Sequence, residues 1–311
     1  EWKQFGSTRS AYERLTKLLE NNPEREAGMA LPRPTGIIAV ENVTAAPPGS
    51  KVAVLKGLNF SISAGEVLGV IGPSGSGKST LARLLVGVWP AAGGKVRLDG
   101  ADVYMWNKDE LGSHVGYLPQ DIELFSGTVS ENIARFGEID ADKVILAAKR
   151  AGVHEMILNM PEGYDTPLGD GGAGLSGGQK QRIGGERCFA GHPKIVVADE
   201  PVSALDVSVQ AAVTELLMDI QREAKTTMLF ISHDLSVVRY IADRVIVMYL
   251  GHIVEQGTTD QIFAPPYHPY TEALLSAIPI ADTSVEKKHI VLDGDIPSAM
   301  SPPSGCPFHT R

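Results

Sequence analysis

A short apolar run, Val67–Ile71, leads straight into Gly72-Pro73-Ser74-Gly75-Ser76-Gly77-Lys78-Ser79, and Thr80 opens a stretch of helical pattern that reaches residue 88. Strand, glycine-rich loop and helix in that order are the context a phosphate-binding loop requires. Glycines at 72, 75 and 77 let backbone N–H groups wrap an anion, because no side chain blocks the approach. The following helix points its N-terminus at the same anion. In this pattern Lys78 reaches the β- and γ-phosphates and the Ser79 hydroxyl binds Mg²⁺.

A second apolar run, Ile195-Val196-Val197-Ala198, ends in Asp199-Glu200. An acid that closes a buried strand emerges at the carboxyl end of the sheet, where open α/β folds bind their ligands. There Asp199 can hold magnesium through water. Between the two runs stands Leu175-Ser176-Gly177-Gly178-Gln179. Strands are expected at 37–43, 52–60, 228–232 and 245–248, with Pro47-Pro48-Gly49 as a turn. Helices are expected at 146–160, 180–190, 209–223 and 235–242, and 163–174 is a Gly-rich connector. Alternation of this kind implies an α/β fold with a mainly parallel sheet.

Composition narrows the setting. The 311 residues are 43% hydrophobic with mean hydropathy near zero, ample material for a core. A net charge of −9 argues against a nucleic-acid partner, where a basic stripe is expected. Cys188 and Cys306 are too few for a disulfide framework, so a reducing cytoplasmic setting is expected. No apolar run approaches the ~20 residues that span a bilayer. The best candidate, residues 244–254, reads as a buried strand. Residues 2–20 place Trp2, Phe5, Tyr12, Leu15, Leu18 and Leu19 near helical spacing and read as an amphipathic helix, and the proline-bearing run 21–34 as a linker. The chain starts at Glu1 rather than Met, which implies that the natural sequence begins earlier. Prolines thicken after residue 263, and order is not expected over the last ~15 residues.

The order of loop, Leu-Ser-Gly-Gly-Gln and acidic strand resembles the nucleotide-binding domain of ATP-binding cassette (ABC) transporters. The resemblance implies a P-loop NTPase (RecA-like) core with an inserted helical subdomain. Residues 1–35 would be helix and linker, the end of a membrane domain in exporters that fuse the two. Residues 36–262 would be the ATPase domain, with the helical subdomain at about 119–189, and 263–311 a C-terminal region.

The resemblance also assigns roles. ATP is held by Gly72, Pro73, Ser74, Gly75, Ser76, Gly77, Lys78, Ser79 and Thr80. Mg²⁺ is held by Ser79, Gln120 and Asp199. Glu200 polarises the attacking water, His233 contacts the γ-phosphate, and Lys78 and Gln120 complete the catalytic set. Leu175, Ser176, Gly177, Gly178 and Gln179 form the signature that faces the ATP of a second ATPase domain, docked head to tail, and Asp206 of the D-loop lies near that partner's site. A transmembrane permease is the other implied partner. The implied place is the cytoplasmic face of the bacterial inner membrane, peripheral unless fused to an upstream membrane domain.

The resemblance changes branch along the chain. Residues 81–90, 127–133 and 163–166 are similar to type I protein-secretion exporters. Residues 198–208, His268-Pro269-Tyr270-Thr271 and 305–311 are similar to the ATPases of dipeptide and oligopeptide importers. These stretches suggest a mosaic joined within about 175–195. Peptide import is the leading cargo reading and protein secretion the alternative. A soluble non-transport ABC ATPase is disfavoured, since neither a long coiled coil nor a second cassette is present, and a non-functional fusion is a further rival. Two departures from the family pattern stand out. The segment Val43-Thr44-Ala45-Ala46-Pro47-Pro48 lacks the aromatic that stacks on adenine, which implies weak discrimination between bases. The helix after the signature carries Gly184-Gly185-Glu186, and each glycine costs about 1 kcal/mol against alanine.

Overall fold

The computed structural model describes residues 2–21, 31–50, 52–150, 152–172, 174–189, 191, 193–202, 207–265, 267–278, 290–292, 294, 296–298 and 302–311. The chain divides into two units, Glu1–Pro32 and Arg33–Arg311. The first unit holds α1 (Trp2–Asn21), the helix read from the apolar spacing. Within it Arg9 and Glu13 pair at 3.0 Å across one turn, while Phe5, Tyr12, Leu15, Leu18 and Leu19 are exposed. Among the described residues no helix is long and apolar enough to cross a membrane.

The second unit begins with β1 (Ile38–Ala45), β2 (Leu55–Ile62), β3 (Val67–Ile71), α2 (Lys78–Leu85), β4 (Gly93–Leu98) and β5 (Ala101–Asp102). Then come α3 (Lys108–His114), β6 (Val115–Leu118), β7 (Gly127–Thr128), α4 (Val129–Ile133), α5 (Ala141–Arg150), α6 (His154–Leu158), β8 (Pro167–Leu168) and α7 (Gly177–Phe189). The chain continues through β9 (Ile195–Asp199), α8 (Val207–Ala224), β10 (Thr227–Ile231), α9 (Leu235–Ile241), β11 (Arg244–Tyr249), β12 (His252–Thr258), α10 (Thr259–Ile262) and α11 (Pro269–Ser276).

The main sheet has the order β12-β11-β3-β10-β9-β6, parallel except where β12 returns antiparallel to β11. Every residue of β3, β9 and β10 is buried, as in strands covered on both faces. Along β3 the side chains alternate. Leu68 and Val70 enter a core shared with the antiparallel sheet β2-β1-β4-β5, and Val67 and Ile71 enter a second core beneath α8 and α9. A third cluster, including Leu124, Val129, Ile133, Val144, Val153, Leu168 and Ile183, is built from residues between β6 and β9.

The α/β architecture agrees with the sequence reading, and four details differ. The helix expected at 146–160 is two helices, because Gly152 takes φ 63° after α5. The strand expected over 244–254 is a hairpin. Leu250 and Gly251 turn it with φ 46° and 80°, and a Cβ on Gly251 would run into the Val54 carbonyl. The elements β4, α3, β6 and α11 were not foreseen. Near the C-terminus Phe308 is buried, its ring edge-on to Tyr249 at 5.5 Å.

Helix α7 explains its own glycines. A Cβ on Gly184 would lie 2.5 Å from Ile122 Cγ2, and Cys188, further along, is buried against Gly116 of β6. The helix thus sits too close to its neighbours for a methyl at 184. A Cβ on Gly185 meets nothing within 4 Å. The side chain of Glu186 lies outside the described residues. We expect Gly185→Ala to raise stability by about 1 kcal/mol in urea denaturation. Gly184→Ala, which must displace Ile122, should give a net loss.

Candidate active site

Residues 72–77 leave β3 and turn back over its end. Gly72 (φ 151°) packs where a Cβ would strike the Met248 carbonyl, and a Cβ on Gly77 (φ 101°) would sit 2.5 Å from Leu55 Cδ2. Neither position has room for a side chain. Ser76 N–H donates to Pro73 O at 3.1 Å, and Gly251 N–H donates to Ser76 O at 3.0 Å, so the β11–β12 turn clamps the loop from outside. Lys78 Nζ donates back to the carbonyls of Gly72 (2.9 Å) and Pro73 (3.0 Å) and spans the loop. Ser74 and Gly75 form the exposed tip, and Thr80 is buried in the first turn of α2. No side chain caps that helix, so its first N–H groups keep their capacity for an anion.

Two carboxylates approach this loop. Parallel pairing sets Ile231 of β10 level with Val70 of β3 and with Asp199 of β9, so the three strands end together. Asp199 is 2% exposed, and its Oδ1 has no hydrogen-bond partner. Burial pushes its carboxyl pKa up and the neighbouring Glu200 charge adds to this, while a Ser79 hydrogen bond and the charges of Lys78 and Arg83 oppose it. Burial also holds the Lys78 ammonium below its usual range, against the pull of Glu200 and Asp199.

Glu200 follows in a left-handed conformation, φ 49°, with its N–H donating to Ile231 O at 2.9 Å. Its Oε2 lies 3.2 Å from His233 Nδ1, and the histidine ring stands exposed just beyond β10. Asp234 then caps α9 by accepting from Ser236 N–H.

The remaining sequence-derived residues are placed as follows. Gln120 is exposed two residues past β6, whose Leu118 pairs with Ala198 beside Asp199. Asp206 lies outside the described residues. Ser176 and Gly177 are exposed, Gly178 is half-buried, and Leu175 packs against the third core. Ser176 N–H donates to Gln179 Oε1 at 2.8 Å and Gln179 N–H to Ser176 Oγ at 3.3 Å, a reciprocal capping box at the start of α7. The Ser-x-x-Gln spacing signals that box in the sequence, although the reading there concerned only the ligand. Among the described residues no hydrogen bond joins 175–179 to 72–79. Sequence reasoning missed Gln181, which is buried and donates to Pro201 O, because a glutamine on a helix carries no signal of a partner twenty residues away.

The chemistry of this cluster can be read from its unmet needs. Ser76 Oγ and Asp199 Oδ1 are buried without partners, beside a buried ammonium. A buried polar atom left unpaired costs about 1–3 kcal/mol. A phosphate would answer the loop N–H groups and Lys78, and a hard cation would answer the Asp199 oxygen and the Ser79 hydroxyl. One carboxylate with a hydroxyl is the donor set that suits Mg²⁺ carried on a phosphate. Among the described residues no group of three His, Cys, Asp or Glu could hold a metal ion.

The raised Asp199 pKa has a consequence for stability. The native state holds that proton more tightly than the unfolded chain does, so the ionised carboxylate destabilises the fold once pH rises through the folded pKa. In metal-free buffer at pH 7, Asp199→Asn should raise the urea midpoint. The gain should vanish below the ordinary value of 3.8, where both states are protonated.

Comparison with known proteins gives the chain's family. A family model described as ABC transporter matches residues 55–203, and one described as oligopeptide/dipeptide transporter, C-terminal region, matches residues 254–311. The type I secretion system ATP-binding protein PrsD of Rhizobium meliloti is 40% identical over 288 residues, 92% of this chain and 49% of the relative. The oligopeptide transport ATP-binding protein OppF of Salmonella typhimurium is 43% identical over 279 residues, 85% of this chain and 81% of the relative. A bacterial Atm1-family ABC exporter with ATP bound superposes with a TM-score of 0.69 at 30% identity, over 81% of this chain and 44% of that one. The chain therefore spans about half the length of the secretion relative and of the exporter, and about four fifths of the importer ATPase. A nucleotide loop and an acidic strand end meeting at one sheet edge, with relatives of this similarity, identify the chain as a member of the ABC transporter family, an ATP-binding ATPase.

Proposed function

We propose that this chain hydrolyses Mg²⁺·ATP to ADP and phosphate and drives peptide transport through a membrane permease, as one half of a head-to-tail ATPase dimer. The observation that carries the reading is the meeting of Lys78, Asp199, Glu200 and His233 at the common end of β3, β9 and β10. Residues 36–262 form the motor, with 119–189 its helical subdomain. Residues 263–311 form the importer-type C-terminal region, and 1–35 the helix and linker that precede the motor.

In this reading the loop N–H groups of 72–80 and the Lys78 ammonium hold the β- and γ-phosphates. Ser79, Gln120 and Asp199 would hold Mg²⁺, which would supply positive charge against the phosphate oxygens. Glu200 takes the proton of the attacking water, and its left-handed backbone aims the carboxylate out of the sheet edge. His233 orients Glu200 and donates toward the γ-phosphate, where charge accumulates in transfer. The exposed Ser176 and Gly177 close on the nucleotide of a second copy, with Asp206 beside that interface, so γ-phosphate contacts join two chains and hydrolysis parts them. The permease holds the pair at the cytoplasmic face of the inner membrane.

Peptide import is supported by the match over 254–311 and by the similarity to OppF. Protein secretion is the second reading, favoured by the similarity to PrsD. The two affinities together support a mosaic joined within about 175–195.

Glu200→Gln tests the ATPase reading. The variant should lose turnover by about 100-fold or more. It should also elute as a dimer with Mg²⁺·ATP and as a monomer with ADP. GTP should trap the dimer at a concentration within tenfold of ATP, since the segment 43–48 offers no aromatic to the base. A Glu200→Gln chain that hydrolyses normally, or that never dimerises, contradicts the reading.

A further inference from the structure

Glu200 is fixed on both sides by bonds of different origin. Upstream, its own N–H is held by Ile231 O of the neighbouring strand. Downstream, the Pro201 carbonyl accepts from Gln181 Nε2, and the next carbonyl, Val202 O, accepts from Gln210 Nε2 at 3.0 Å. Gln210 belongs to α8, whereas Gln181 belongs to α7, the helix that begins in the signature segment. Gln181 is 8% exposed, so its bond to Pro201 is shielded from water and holds its geometry. Only one turn of helix separates Gln181 from Ser176, where the Ser176–Gln179 box ties the segment rigidly to α7. A shift of that helix is therefore passed to Pro201 and to the residue before it. Glu200 holds a φ of 49°, a conformation a glutamate keeps only when its surroundings impose it.

We propose that Gln181 is a positioning residue that carries the engagement of the signature segment to Glu200 of the same chain. The proposal rests on the dimer reading above, in which that segment touches the partner's nucleotide. Each chain would thereby set its own water-activating carboxylate according to the occupancy of the other site. Gln181 touches neither nucleotide nor water in this scheme. Its effect travels through one buried hydrogen bond and one peptide unit.

The test is a double-mutant cycle on steady-state ATP turnover of the full chain at saturating Mg²⁺·ATP. Ser176→Ala removes a hydroxyl contact to a phosphate and should lower turnover about tenfold in the otherwise native chain. In a Gln181→Met background, which removes the donor at nearly constant volume, the same Ser176→Ala change should lower turnover less than twofold, with the ATP dissociation constant unmoved by Gln181→Met. Gln181→Asn, too short to reach Pro201, should behave alike and serves if the methionine variant does not fold. In a Gln210→Met background, which releases the adjacent carbonyl from the other helix, Ser176→Ala should keep its full tenfold effect. An equal loss in the Gln181 and native backgrounds overturns the relay. A vanishing loss in the Gln210 background overturns it as well, since any loosening of the loop would then suffice. A Ser176→Ala chain of native turnover removes the dimer reading on which the relay stands.

Discussion

The structure is organised around a lysine whose ammonium is buried and turned back on its own loop. Lys78 reaches across to the carbonyls of Gly72 and Pro73 and sits within the fields of Asp199 and Glu200. Taking such charges out of water is costly unless they are paired and hydrogen-bonded. The pairing is incomplete here, because Asp199 keeps an oxygen and Ser76 a hydroxyl without partners. A triphosphate with its cation would supply the missing partners. The remaining architecture serves that juncture: three fully buried parallel strands end in register, and the Leu250-Gly251 turn clamps the loop from behind.

What the sequence makes legible follows from the locality of the chemistry. A phosphate loop is eight consecutive residues between a strand and a helix, and a strand-terminal acid pair is two, so short-range order carries both. The fully apolar runs of β3, β9 and β10 are equally plain, since strands covered on both faces leave no polar interruption. The fold's edges are less legible. The apolar run at 244–254 reads as one strand until Gly251 is seen against the Val54 carbonyl, a contact nearly two hundred residues away in sequence. Gly184 looks like a flaw in a helix until Ile122 occupies the space its side chain would need. Phe308, in a proline-rich tail, gains its place from the rings of Tyr249, Tyr270 and His268, which are distant in sequence. The same distance hides the Gln181–Pro201 bond.

The two affinities of the chain meet inside shared packing. The second core combines Val67 and Leu118, which precede the proposed join, with Phe230, Tyr249 and Phe308, which follow it. Helix α7, within which the join is proposed, contacts both: Cys188 lies against Gly116, and Gln181 bonds to Pro201.

The central claim is that the exposed signature of one chain completes the nucleotide loop of another. Cysteines placed at Ser74, on the exposed loop tip, and at Ser176 test it by disulfide cross-linking in a Glu200→Gln chain. The account predicts a covalent dimer joined from 74 of one chain to 176 of the other, formed with Mg²⁺·ATP and not with ADP. A chain that binds ATP yet forms no such link, or forms it without regard to nucleotide, would contradict it.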